Sequence, residues 1–271
     1  GLVNEGTTCY MNSLLQTLYF LSDFRLAVYS MPTTEQDRFT IPFALQSIFY
    51  QLQYNTQAAS TRDLLKSFGW STEEWNVQHD VQEFNCVLSD ALESKMKNTQ
   101  AEGTYSRLFE GQMLNFIECI NVNYKSERIE KFIDLQLNVA GCKDITESLH
   151  KYCEIEVLSG ENQYEADDLG KQDAQKGVIF KSLPPVLQIQ LKRFEFDPVI
   201  GNMVKLNNKF EFYEKIDMNE FVVDEIKGNQ EYRLFSVLVH SGSINAGHYY
   251  SYISPNLDGN WYKFNDDCVD F

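Results

Sequence analysis

No Cys-x-x-Cys pair occurs in the chain, and with only four histidines the ligand spacing of a structural zinc site does not emerge. The six cysteines, at positions 9, 86, 119, 142, 153 and 268, are scattered over 271 residues without a repeated short spacing. That excludes the disulfide framework that staples small secreted domains. Basic side chains are scarce, 23 against 39 acidic ones, for a formal net charge of −16. Such a deficit argues against a surface for nucleic-acid phosphates and fits either plain solubility or a basic partner. No run of about 18 residues is apolar throughout, and no basic stretch followed by a hydrophobic one opens the chain. Neither a membrane span nor a secretory signal is expected, and the chain reads as a soluble monomer of the cytoplasm, the nucleus or both. It begins without methionine and its strongest motif starts at Gly1, so a domain cut from a longer protein is expected. No internal repeat is visible.

A hydrophobic content of 43% over this length is enough to bury a substantial core. Met11, Leu14, Leu15 and Leu18 recur at helical spacing between Thr7 and Phe20, with Thr7 or Thr8 as N-cap and Cys9 in the first turn. Residues 43–52, after Pro42, read as a second helix. Residues 80–96 read as a third, with an inner stripe of Val81, Phe84, Val87, Leu88, Ala91 and Leu92. After Gly103 the pattern predicts strands over 113–122, 131–139, 186–196, 232–239, 248–253 and 261–265. The segment 159–175, rich in acidic residues, reads as a solvated hairpin tip or mobile loop. The alternation of Leu187, Ile189 and Leu191 suggests a central strand.

A thiol is a good nucleophile at neutral pH only as thiolate, a state favoured by the free N–H groups and dipole of a helix start. Cys9 is the cysteine so placed. The others read as structural: Cys86 beside a helical stripe, Cys119 and Cys153 among strand residues, Cys268 after an acidic turn. His248 opens a predicted strand. A hairpin turning between Asn256 and Leu257 sets it directly opposite Asn265, at a distance suited to a side-chain hydrogen bond. Asp266 is the competing orienter, expected on the other face unless the strand ends or bulges there.

Several segments together resemble a known family. Gly1-Leu-Val-Asn-Glu-Gly-Thr-Thr-Cys-Tyr-Met-Asn12 is similar to the cysteine box of the ubiquitin-specific proteases, and Gly247-His-Tyr-Tyr-Ser-Tyr252 with Trp261-Tyr-Lys-Phe-Asn-Asp266 to their histidine box. Gln78-His-Asp-Val-Gln-Glu-Phe84 and Leu187-Gln-Ile-Gln-Leu-Lys-Arg-Phe194 resemble two intervening family segments. Leu64-Leu-Lys-Ser-Phe-Gly-Trp70 is most similar to the herpesvirus-associated branch. The resemblance implies an α+β, papain-like cysteine protease fold shaped like a hand: a single catalytic domain over 1–271, with a thumb at about 1–110, fingers within about 111–183 and a palm at about 184–271. Many members bind zinc at the fingers through paired cysteines. Here those positions read Cys119, Val122, Ala166 and Leu169, so no metal or other cofactor is expected. The chain also stops at Phe271, where relatives often continue, which puts its stability and activity in question.

The activity implied is ubiquitinyl hydrolysis of the isopeptide bond after the ubiquitin C-terminal glycine, through a thioester on Cys9 with His248 as base. Ubiquitin and ubiquitinated proteins are the implied partners. By the same resemblance Asn4 joins the Cys9 N–H as oxyanion donor, against the alternative of a turn asparagine. Asp80, Phe194, His240 and Tyr249 line the channel for the ubiquitin tail, against readings of Asp80 as a helix cap and Phe194 as core. His79 stands beside Asp80 with a weaker claim. A catalytically weak ubiquitin-binding module and a Cys-His acyltransferase or transglutaminase are the rival readings.

Overall fold

A computed structural model describes residues 1–69, 80–244 and 246–271. The chain forms two compact units, one from Gly1–Arg107 with Leu234–Phe271 and one from Leu108–Arg233.

The first unit begins with α1 (Cys9–Phe20), α2 (Ser22–Ser30), α3 (Ile41–Tyr54), α4 (Arg62–Ser67) and α5 (Val81–Met96), after which α6 (Thr104–Phe109) carries the chain onward. Leu21, extended at φ −76° and ψ 103°, separates the first two helices. Pro42 occupies the first turn of α3, where its missing N–H costs nothing. In α5 the buried face is Phe84, Leu88, Leu92 and Met96, while Val87, expected in that stripe, is exposed. The rings of Tyr10 and Phe84 meet edge-on at 5.7 Å and join α1 to α5.

The second unit contains β1 (Gly111–Cys119), β2 (Lys125–Phe132), β3 (Asp134–Asn138), α7 (Ile145–Tyr152), β4 (Glu156–Leu158), β5 (Tyr164–Glu165) and β6 (Lys171–Gln172). It continues with β7 (Ala174–Ser182), β8 (Gln188–Lys192), β9 (Phe194–Asp197), β10 (Asn202–Lys205), β11 (Lys215–Asp217) and β12 (Glu231–Arg233). An antiparallel sheet in the order β2-β1-β7-β4 packs one face on a core that includes Met113, Phe132, Leu135, Leu137, Leu149 and Phe180. Among the described residues, the strand expected to be central, β8, pairs with β3 alone, in parallel. The segment expected as one strand over 186–196 breaks at Arg193, whose N–H turns back to the Leu191 carbonyl at 2.8 Å. Cys153 caps the end of α7 instead of lying in a strand. The acidic segment 159–175 is folded: it holds β5, β6 and a small cluster in which Cys119, Ala166 and Ala174 are buried against Val122, Leu158 and Tyr164. Leu169 is exposed. One thiol among apolar side chains does not fit the tetrahedral nitrogen and sulfur set that zinc requires.

The chain returns to the first unit as a meander of β13 (Ser236–Ser243), β14 (Ala246–Ile253), β15 (Tyr262–Asn265) and β16 (Cys268–Asp270). Helix α1 lies against β14. Thr17 and Ser236 hydroxyls meet at 2.7 Å, and Phe20 packs on Phe264 at 5.2 Å. The β14–β15 ladder pairs Ser251 with Phe264, Tyr252 with Lys263 and Ile253 with Tyr262. It is displaced by two residues from the expected register, because the loop, with Leu257 and Gly259 both at positive φ, turns later than expected. His248 and Asn265 are therefore diagonal neighbours instead of directly opposed. A shift of two preserves which face each side chain occupies, and diagonal neighbours remain within reach of long side chains.

Candidate active site

Eight of the nine residues expected to carry catalysis or to read the tail come from three stretches of the first unit: the loop and helix start at 4–9, the start of α5, and the β13–β16 meander. Cys9 opens α1 and is 3% exposed. Thr8 precedes it without capping the helix through its side chain; its hydroxyl instead accepts from the Glu5 N–H at 3.0 Å. The thiol sulfur accepts from the Tyr249 N–H at 3.4 Å. Burial pushes the Cys9 thiol up, and the Asp266 charge adds to this; the N–H groups of Tyr249, Tyr10 and Cys9 itself oppose it without prevailing. The helix start alone therefore does not produce the thiolate that the sequence led us to expect.

His248 stands in β14, immediately before the Tyr249 N–H that touches the sulfur. Its Nε2 lies 2.6 Å from Asn265 Oδ1. An amide oxygen only accepts, so Nε2 carries the hydrogen and Nδ1 is left as the basic nitrogen. Among the described residues no hydrogen bond yet joins His248 to Cys9. Asp266 follows the last residue of β15 and takes φ 52°, so the strict alternation of the strand ends before it. Its carboxylate swings to the side of His248, with Oδ2 at 3.8 Å from Nε2. The same Oδ2 accepts from Asn4 Nδ2 at 2.9 Å, and Oδ1 accepts from Asn12 Nδ2 at 2.8 Å. Asn12 was given no role from the sequence, although a polar side chain on the inner face of α1 one helical turn past Cys9 is a signal that could have found it.

Asn4 sits on the loop before α1. Its Oδ1 accepts from the N–H groups of Gly6 and Thr8, each at 3.2 Å, which settles which end of the amide is the donor. Asp80 is the N-cap of α5, accepting from the Gln82 N–H at 2.7 Å, and no ion pair engages it among the described residues. Tyr249 is buried, its hydroxyl held high by burial and by the nearby Asp80 charge. Its ring lies 4.7 Å from that of His240, the residue opposite it in the β13–β14 ladder. A Cβ on Gly247 would stand 1.8 Å from His240 Nε2, so the close approach of that ring requires glycine. Phe194 belongs to the second unit, where it starts β9, half-buried and paired with Lys205. Gln78 and His79 lie outside the described residues. Among those described, no group of three or more His, Cys, Asp or Glu is arranged to hold a metal ion.

The sequence profile of the ubiquitin carboxyl-terminal hydrolase family matches residues 1–270. Over 99% of its length the chain is 54% identical to ubiquitin C-terminal hydrolase 12 of Arabidopsis thaliana, covering 25% of that protein. It is 50% identical to ubiquitin carboxyl-terminal hydrolase 15 of Saccharomyces cerevisiae, with 99% of this chain and 23% of the relative aligned. The value is again 50% for ubiquitin carboxyl-terminal hydrolase 7 of Drosophila melanogaster, with 99% and 24% aligned. The chain thus spans about a quarter of the length of these curated relatives.

Proposed function

The chain belongs to the ubiquitin carboxyl-terminal hydrolase family, and we propose that it is a deubiquitinating cysteine protease that hydrolyses the isopeptide bond after the C-terminal glycine of ubiquitin. One observation carries the reading. Tyr249 donates its N–H to Cys9 Sγ at 3.4 Å while the adjacent His248 has its Nε2 held by Asn265 at 2.6 Å, so a base with a free Nδ1 stands next to the nucleophile.

In the reaction, His248 Nδ1 takes the thiol proton as Cys9 Sγ attacks the glycine carbonyl carbon, and the carbonyl electron pair moves onto oxygen. The Cys9 N–H and an N–H of Asn4 receive that oxyanion. Collapse re-forms the carbonyl and breaks the C–N bond, with His248 returning the proton to the leaving lysine amine. Water, deprotonated by His248, then attacks the thioester carbonyl, and Cys9 leaves with that proton. Asn265 keeps the ring in one tautomer throughout. Closure of His248 onto the thiol belongs to the substrate complex, since catalytic hydrogen bonds tighten on binding. A charged imidazole there offsets the burial that keeps the free thiol protonated.

Asp80, His240 and Tyr249 of the first unit are assigned to the ubiquitin tail, with the Asp80 carboxylate meeting an arginine of the tail. Ubiquitin and ubiquitinated proteins are the partners, and the acidic balance of 39 to 23 speaks against nucleic acid. No helix among the described residues is long and apolar enough to cross a membrane. A ubiquitin carrying a C-terminal electrophile tests the reading: covalent capture at Cys9 supports it, binding without capture supports a recognition module, and indifference to ubiquitin supports a transferase of other specificity.

A further inference from the structure

Asn12 is 2% exposed on α1, three residues past the nucleophile. Its Nδ2 donates both to Asp266 Oδ1 at 2.8 Å and to the Val3 carbonyl at 3.2 Å, while its Oδ1 has no partner among the described residues. An apolar residue would fill this helix position without leaving a buried acceptor unsatisfied. What the asparagine supplies is a pair of donations that tie three separate segments together: the nucleophile helix, the loop carrying Asn4, and the end of β15.

We propose that Asn12 is a positioning residue for the oxyanion donor: its amide clamps the Asp266 carboxylate, which in turn holds the Asn4 amide in the orientation that stabilises the transition state. The inference rests on the hydrolase reading above. The backbone of Asp266 is already fixed, with its carbonyl accepting from the Leu2 N–H at 2.8 Å. Its side chain is the part left to fix, and it has two attractive directions, toward Asn4 at 2.9 Å and toward His248 at 3.8 Å. A second donor on Oδ1 holds the carboxylate in plane for Asn4 and withholds it from His248, leaving that ring to Asn265. Asn4, held at Oδ1 by Gly6 and Thr8 and at one N–H by Asp266, keeps its second N–H without a described partner. That is the hydrogen an oxyanion would take.

The test uses the chain itself with a fluorogenic ubiquitin amide, and in parallel with iodoacetamide, whose displacement at the Cys9 sulfur develops no oxyanion. Asn12→Ala is expected to lower kcat about 10-fold or more with KM within about 3-fold, and to leave alkylation of Cys9 within about 2-fold. Adding Asn4→Ala to Asn12→Ala should cost much less than Asn4→Ala costs alone, because both act on one interaction. Asn12→Asp keeps the shape and guards against a folding failure. It sets two carboxyl groups against each other, and the protonated form of the new acid still donates to Asp266. Its kcat relative to the parent should therefore recover as pH falls. Unchanged kcat in Asn12→Ala, parallel loss of alkylation and hydrolysis, or a pH-independent ratio for Asn12→Asp each overturn the proposal. A parent that is alkylated but does not turn over the ubiquitin amide defeats the hydrolase reading itself, and the inference with it.

Discussion

Two influences oppose each other at Cys9, and burial prevails over the helix-start N–H groups, so the free thiol titrates above its ordinary range. Alkylation of the Cys9 peptide, followed by mass spectrometry without ubiquitin, should therefore still be rising with pH past the point where an ordinary cysteine has levelled off. A plateau near neutrality would show a preformed ion pair with His248. At the base, Asn265→Ala removes the acceptor at 2.6 Å that fixes the tautomer, and acylation measured in single turnover should fall about 10²-fold. Little change there, together with a large loss in Asp266→Ala, would hand the orienting role to Asp266. The placement of Cys9 at a helix start and of His248 within reach of Asn265 was legible because their motifs fix residue type and helical or strand phase. The direction of Asp266 was not, since it depends on a positive φ that no alternation pattern encodes. Asn12 lay within a quoted motif and stayed silent, because its role consists of contacts outside its own helix, to Val3 and to the sequence-distant Asp266.

Elements were legible where periodicity was strong. The stripe of α5 gave its helix, and the alternation after His248 gave β14, but β2 was missed because Lys125–Phe132 alternates charges more than apolar residues. The hairpin register slipped by two because a loop containing positive-φ Leu257 does not announce its centre. The site survived the slip because facing has period two. In the preceding hairpin Gly247 lies close under the His240 ring. Gly247→Ala should lower kcat/KM and stability by about 1–3 kcal/mol through overpacking, and adding His240→Ala should restore much of the lost stability. Thermal unfolding of the single and double variants checks this, and equal destabilisation in both would place the strain elsewhere. At the start of α5, Asp80→Ala removes the cap on the Gln82 N–H and should cost about 1 kcal/mol by denaturant unfolding. Its effect on turnover should be larger than that loss explains if the carboxylate also meets the ubiquitin tail.

Across the whole molecule, the first unit is closed by chain ends distant in sequence, residues 1–107 and 234–271, and that is how Cys9 and His248 come to share one unit. The second unit buries Cys119 and Ala166 and packs Val122 beside them, three of the four positions that the family resemblance assigns to zinc ligands. A strong chelator should leave both the melting temperature and turnover unchanged, whereas stoichiometric zinc in the purified protein would contradict that account. At this site, one thiol of six should form a covalent bond with the ubiquitin C-terminus. The most direct measurement is intact-mass and peptide analysis after incubation with a ubiquitin bearing a C-terminal electrophile, for the parent and for Cys9→Ala. A single adduct on Cys9 is expected in the parent and none in the variant; an adduct that persists in Cys9→Ala, or no adduct in either, would rule out Cys9 as the reacting thiol.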